Sequence, residues 1–126
     1  MPDFEFDSGE ASMTSLQPIP MVRVRTFTTP HVLEMVQGPD APRTFELTGD
    51  RLIVGRAVTC DIRVPLGEMS RQHMRLDRHQ GGFRAVDLDS SNGLYLNEIR
   101  VKSAVLRDND VLQLGDVAFV YHEGTT

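Results

Sequence analysis

Turn-forming clusters interrupt this chain at short intervals from residue 31 onward: "GPDAP" at 38–42, "TGD" at 48–50, Pro65, "HQGG" at 79–82, "SSNG" at 90–93 and Gly115-Asp116. An amphipathic helix needs about eleven uninterrupted residues to show its stripe, and no such window shows a helical period. The segments between the turns alternate instead. They are "HVLEMVQ" (31–37), "RTFEL" (43–47), "RLIVG" (51–55), "DIRVP" (61–65), "HMRLDR" (73–78), "FRAVDL" (83–88), "LYLN" (94–97), "IRV" (99–101), "VLQLG" (111–115) and "VAFVYH" (117–122). Alternation places every second side chain on one face of a strand. About nine to eleven short strands of this kind predict an all-β, antiparallel sandwich. "HQGG" and Gly115-Asp116 read as hairpin turns. Leu112, Leu114, Phe119 and Tyr121, with Ile53, Ile62 and Val86, are the expected core.

Residues 1–20 show neither period and mix acids, small residues and two prolines. "MVRVRTFTT" at 21–29 alternates but is cut by Pro30, and reads as a linker rather than an edge strand. The expected organisation is a flexible tail or linker over 1–30 and one domain over 31–126. A domain of this size buries a sufficient core without metal or disulfides.

Charge and cysteine content exclude several classes of function. The net charge is −5, which disfavours nucleic acid as a partner. No apolar run is long enough for a membrane span, and the acidic N-terminus is unlike a secretory signal. One cysteine, Cys60, permits no intrachain disulfide and fits a cytoplasmic, reducing home. His31, His73, His79, His122 and Cys60 match no metal-ligand spacing, so neither metal nor other cofactor is expected. Against the acidic average, residues 51–84 hold seven arginines and three acids. That local bias leaves room for an anionic ligand.

The turns carry parts suited to an anion. Arg56 offers a planar fork for two oxygens. Ser70 and Ser91 offer short hydroxyl donors. The Asn92 amide both donates and accepts, which suits a peptide backbone. Gly55 and Gly93 permit tight turns and close approach. Taken singly, each has a plainer reading: Arg56 as a surface residue, Ser70 as a turn cap, Asn92-Gly93 as a hairpin turn.

Order and spacing together carry more. "GR" after a strand, "SRQH" at 70–73, "DLDSSNGLYLN" at 87–97 and the closing "RDNDVLQLGDVAF" resemble the forkhead-associated (FHA) domain over roughly residues 31–123. The resemblance implies a sandwich of about eleven strands and recognition of phosphothreonine peptides, an adaptor activity downstream of Ser/Thr kinases. It implies that Arg56 and Ser70 hold phosphate, that Arg71 makes an auxiliary contact and that Ser91 donates to phosphate. Asn92 would bond the peptide main chain, and Gly55, His73 and Gly93 would be architectural, His73 bracing the loop that presents Ser70. The partner implied is a phosphothreonine protein or peptide, from a kinase or its substrate. The sequence departs from the family pattern at Leu94, where threonine is common, and at Glu98, where glycine is common.

Two rivals remain. A hydrolase built on Ser70, His73 and Asp89 lacks a nucleophile elbow and any motif for an oxyanion hole, so no catalytic residue is assigned and the chain reads as a non-enzyme. A phosphate-independent interaction module, or a regulatory fragment of a larger protein, is the alternative function.

Overall fold

The computed structural model describes residues 27–125. Its elements are β1 (His31–Gln37), β2 (Arg43–Leu47), β3 (Arg51–Gly55), β4 (Ile62–Arg63), β5 (Met74–His79), β6 (Gly82–Asp87), β7 (Leu94–Leu96), β8 (Ile99–Val101), β9 (Ser103–Val105), β10 (Val111–Leu114) and β11 (Val117–His122). They form two sheets, one ordered β2-β1-β11-β10-β7-β8 and the other β4-β3-β5-β6-β9. The all-β sandwich follows the sequence expectation, and no helix of the described residues is long and apolar enough to cross a membrane.

Alternation does the sorting. In β11, Val117, Phe119 and Tyr121 are fully buried while Ala118, Val120 and His122 are only partly so. In β10, Leu112 and Leu114 point inward between exposed Val111 and Gln113. Leu33 and Met35 of β1, Val54 of β3 and Met74 and Leu76 of β5 complete the central layer. Each large apolar side chain so buried contributes about 1.5–3 kcal/mol relative to exposure.

Four expectations need correction. Ile53 and Val86 are only partly buried, because they lie in register with Arg75 on the outer face of their sheet; their inward neighbours Leu52, Val54 and Ala85 take the core positions. The sheets are not wholly antiparallel: β3 and β4 run parallel, Val54 opposite Ile62 and Gly55 opposite Arg63. "DIRVP" gives only a two-residue strand, since Pro65 has no N–H to extend a ladder. Finally, Ser103–Val105 forms β9 against β6, although it carries too little apolar alternation to stand out.

Leu94, where the family pattern favours threonine, is fully buried in the core. Glu98 lies in the tight turn joining β7 and β8, with φ of 48° at Asn97 and 74° at Glu98. Those angles are why glycine suits the second position.

Thr29 and Thr125, near the two limits of the described segment, meet at one end of the sandwich. Thr29 accepts a hydrogen bond from the Thr125 N–H (2.8 Å) and donates its own N–H to the Thr125 hydroxyl (2.8 Å). Beneath them, buried His31 stacks on Tyr121 and meets Phe83 edge-on. The reading of residues 1–30 as a tail falls outside the described residues, apart from 27–30, which form no strand.

Candidate functional site

The opposite end of the sandwich is built by four connections: β3–β4, β4–β5, β6–β7 and the β10–β11 turn. Gly55 closes β3. A Cβ added there would stand 2.3 Å from the Arg71 carbonyl oxygen and 2.9 Å from the Gln72 Cα. Only glycine lets the chain at 70–73 lie against the end of β3. Three backbone bonds exploit that approach: Arg56 N–H to Ser70 O (3.0 Å), Ala57 N–H to Arg71 O (3.0 Å) and His73 N–H to Val54 O (2.9 Å). The "GR" and "SRQH" stretches are thereby laced together.

Arg56 is half-buried, and its Nε donates to the Met69 carbonyl (3.0 Å). The terminal nitrogens have no protein partner among the described residues. The guanidinium is thus oriented at its neck and open at its fork. Exposed Arg71 follows Ser70 on the adjoining loop. Arg63, not singled out from sequence, donates its Nε to the Arg56 carbonyl (3.2 Å). Its closeness depends on the parallel β3–β4 pairing, which no local pattern announces.

The Ser70 hydroxyl oxygen accepts the Ser91 N–H (3.0 Å), so its own proton is left to donate elsewhere. This bond joins the β4–β5 and β6–β7 loops at the two serines named from sequence. Asn92 donates from Nδ2 to the Glu68 carbonyl (2.8 Å) and keeps its Oδ1 without a protein partner among the described residues. Both Ser91 and Asn92 are exposed.

His73 has no exposed surface. Its Nδ1 accepts the Ser70 N–H (3.3 Å) and its Nε2 faces the Gly93 carbonyl at 2.8 Å. A carbonyl can only accept, so the proton sits on Nε2. One imidazole therefore ties the two loops together from inside. The same geometry excludes the Ser70–His73–Asp89 triad, because both ring nitrogens are committed to main-chain atoms and the Ser70 hydroxyl faces Ser91.

Gly93 adopts φ of 84°, and a Cβ there would meet the Arg100 guanidinium at 2.8 Å. Its N–H bonds the hydroxyl of buried Ser90 (2.9 Å), which donates to Asp87 Oδ1 (2.5 Å). The two serines of "SSNG" thus divide their work, Ser90 holding the turn and Ser91 facing out. Sequence pointed only to Ser91, since neighbouring identical residues differ here only in which way they face.

Cys60 lies behind the arginines, its thiol donating to the Arg71 carbonyl (3.1 Å). Burial pushes its pKa up, so it stays a neutral thiol and adds no negative charge. Among the described residues, no three His, Cys, Asp or Glu side chains converge as a metal site would require.

Comparison with known proteins bears on this geometry. The family model for the FHA domain matches residues 52–115. The "Oxoglutarate dehydrogenase inhibitor" of Corynebacterium diphtheriae is 34% identical over 93 residues, covering 74% of this chain and 65% of the relative. The "Glycogen accumulation regulator GarA" of Mycolicibacterium smegmatis is also 34% identical over 93 residues, covering 74% of this chain and 59% of its own length. The chain spans less than two thirds of either relative. Among solved structures, one described as a "Structural and functional analysis of phosphothreonine-dependent FHA domain interactions" superimposes with a TM-score of 0.68 at 28% identity, over 75% of this chain and 96% of that one.

Proposed function

Since this chain belongs to the FHA domain family, we propose that it is a phosphothreonine-dependent binding module, and that residues 31–126 form the binding unit. The observation that carries the reading is the state of Arg56: fixed at Nε, unengaged at its fork, and laced by its backbone to Ser70. A phosphate monoester brings about −1.5 to −2 charges and three acceptor oxygens. Arg56 takes two of these as a fork, Ser70 and Ser91 donate hydroxyl protons to the phosphate, and Arg71 adds charge at the rim. Asn92 Oδ1 accepts a peptide N–H. Gly55, His73 and Gly93 hold these groups in place without touching ligand.

Such a module brings a phosphorylated protein to whatever the chain is attached to, and performs no chemistry itself. Its partners are a Ser/Thr kinase or that kinase's substrate, met in the cytoplasm.

Calorimetric titration with a phosphothreonine peptide and its unmodified twin tests this. Binding of the phosphorylated form alone is expected. Arg56→Ala removes a charge-assisted contact and should weaken binding by about 2–4 kcal/mol, roughly 30-fold or more. Equal affinity for the twins would favour the phosphate-independent module, and an unchanged dissociation constant in Arg56→Ala would remove that arginine from the site.

A further inference from the structure

The outer face of the sheet β4-β3-β5-β6-β9 takes no part in the phosphate reading, and its charge is unlike that of the chain as a whole. Leu52, Val54, Met74, Leu76, Phe83 and Ala85 point into the core, so their strand neighbours point outward. Register sets Arg51, Asp77, Arg84 and Val105 side by side in one row, and Ile53, Arg75, Val86 and Ser103 in the next. Exposed Arg63 of β4 lies beyond them, opposite Gly55. Asp77 is the one carboxylate in these rows. It is shared by Arg51 Nε (3.1 Å) and Arg75 Nε (2.9 Å). Arg84, directly across from it, and Arg63 form no ion pair among the described residues. Asp61, at the β4 edge, is turned to the Ile53 N–H (2.8 Å). Four guanidiniums thus stand among half-buried Ile53 and Val86 and exposed Val105, in a chain whose net charge is −5.

Such a face suits a partner rich in carboxylates and poor in cations, and the chain itself carries one. Residues 1–22 hold Asp3, Glu5, Asp7 and Glu10 and no lysine or arginine, and the first three acids alternate with Phe4 and Phe6. In an extended segment the carboxylates project to one side and the rings to the other. Guanidiniums engage both, pairing with carboxylates and stacking on aromatic faces. The point of entry also fits. Phe83 meets His31 edge-on and Arg84 follows Phe83, so the arginine rows begin at the end of the sandwich where Thr29 lies. Asp7 precedes Thr29 by 22 positions. At about 3.3–3.6 Å per residue, that length of chain spans up to about 70–80 Å, more than the width of about 30 Å for a domain of this size. Single surface ion pairs are weak, but a tether supplies an effective concentration near millimolar, so weak contacts suffice.

We infer that the acidic segment at residues 3–10 of the same chain docks on this arginine face, as an intramolecular contact that needs no phosphate. Asp3, Glu5 and Asp7 offset the charge that Asp77 leaves uncompensated. Held there, these carboxylates are kept from Arg56 and Arg71 at the opposite end, where they would compete with an anionic ligand. The contact does not depend on the phosphothreonine reading.

The test uses the chain of 126 residues. A nitroxide is attached at Ser8→Cys in a Cys60→Ser background, where the serine hydroxyl can still donate to the Arg71 carbonyl, and paramagnetic broadening is read at every amide. Glu34 and Val120 lie on the outer face of the other sheet and serve as the reference. Amides of Ile53, Asp77, Arg84 and Val105 should broaden at least about three-fold more than these, which a tether sampling both faces equally would not produce. High salt should level the difference, since the Debye length shrinks from about 8 Å at physiological strength to about 3 Å at 1 M. The triple variant Asp3→Asn/Glu5→Gln/Asp7→Asn, which changes nothing in the folded domain, should level it too, and so should Arg84→Glu, which has no ion pair to lose. A mixture of nitroxide-bearing chain and isotope-labelled chain without nitroxide should show no broadening; broadening there would assign the contact to a second copy and overturn the intramolecular reading. Even broadening over both faces overturns the docking, as does broadening centred on Ser70 and Asn92, which would place the segment at the phosphate loops. A preference for the arginine face that survives the triple variant would overturn its electrostatic basis.

Discussion

Replacing His73 by alanine tests how the β4–β5 and β6–β7 loops are held. The imidazole is fully buried and bridges the Ser70 N–H to the Gly93 carbonyl at 3.3 and 2.8 Å. Removing it deletes two hydrogen bonds worth about 0.5–1.5 kcal/mol each and leaves a donor and an acceptor unsatisfied. It also opens a void, which adds a cavity cost. The expected destabilisation is about 2–4 kcal/mol. For a domain of this size each kcal/mol moves the melting temperature by roughly 4–8 °C, so a fall of about 10–25 °C should appear in scanning calorimetry. Affinity for a phosphothreonine peptide, measured well below the new transition, should fall too, because Ser70 and Ser91 lose the brace behind them. His73→Gln can still accept on one side and donate on the other, and should recover part of both losses. Wild-type stability with abolished binding would instead place His73 against the ligand. Lost stability with unchanged affinity would show that the bridge does not set the loop geometry.

Three further outcomes follow from specific contacts. Gly55→Ala forces a Cβ to within 2.3 Å of the Arg71 carbonyl, so it should cost about 1–3 kcal/mol, shift the amide resonances of Ser70–Gln72 and weaken phosphopeptide binding; unchanged resonances would refute the close approach. Glu98→Gly relieves a left-handed conformation at φ 74° and should stabilise by about 0.5–1 kcal/mol after the entropy cost of glycine, visible as a higher urea midpoint with affinity unaltered. Tyr121 has its pKa pushed from 10.0 to about 12 by burial, with Glu123 adding to the rise, and its hydroxyl lies 2.9 Å from His31 Nδ1. A raised folded-state pKa means its contribution is complete below pH 10 and is lost as pH climbs towards 12, so denaturant melts across that window should show a decline that Tyr121→Phe lessens.

The sequence by itself determined the class of fold and pointed to most of the residues that the structure gathers at one end of the sandwich. Turn clusters rule out long helices, and strict alternation in "VLQLG" and "VAFVYH" names Leu112, Leu114, Phe119 and Tyr121 as core, because a pleated strand has a period of two. The order of Gly55-Arg56, Ser70 and Ser91-Asn92-Gly93 was equally legible, since each needs a particular residue type at a turn. Tertiary structure decided what depends on strands far apart in sequence. Ile53 and Val86 face outward because of sheet register. Arg63 reaches Arg56 through a parallel pairing of β3 and β4. Ser90 and Ser91 are the same residue type, and only packing turns one inward to Asp87 and the other outward beside Ser70. The groove lined by Glu68, Asn92, Tyr95, Gln113, Gly115 and Asp116 was invisible for the same reason. Its residues come from three loops or turns and two strands, and a linear pattern can show neighbours along the chain but not neighbours in space.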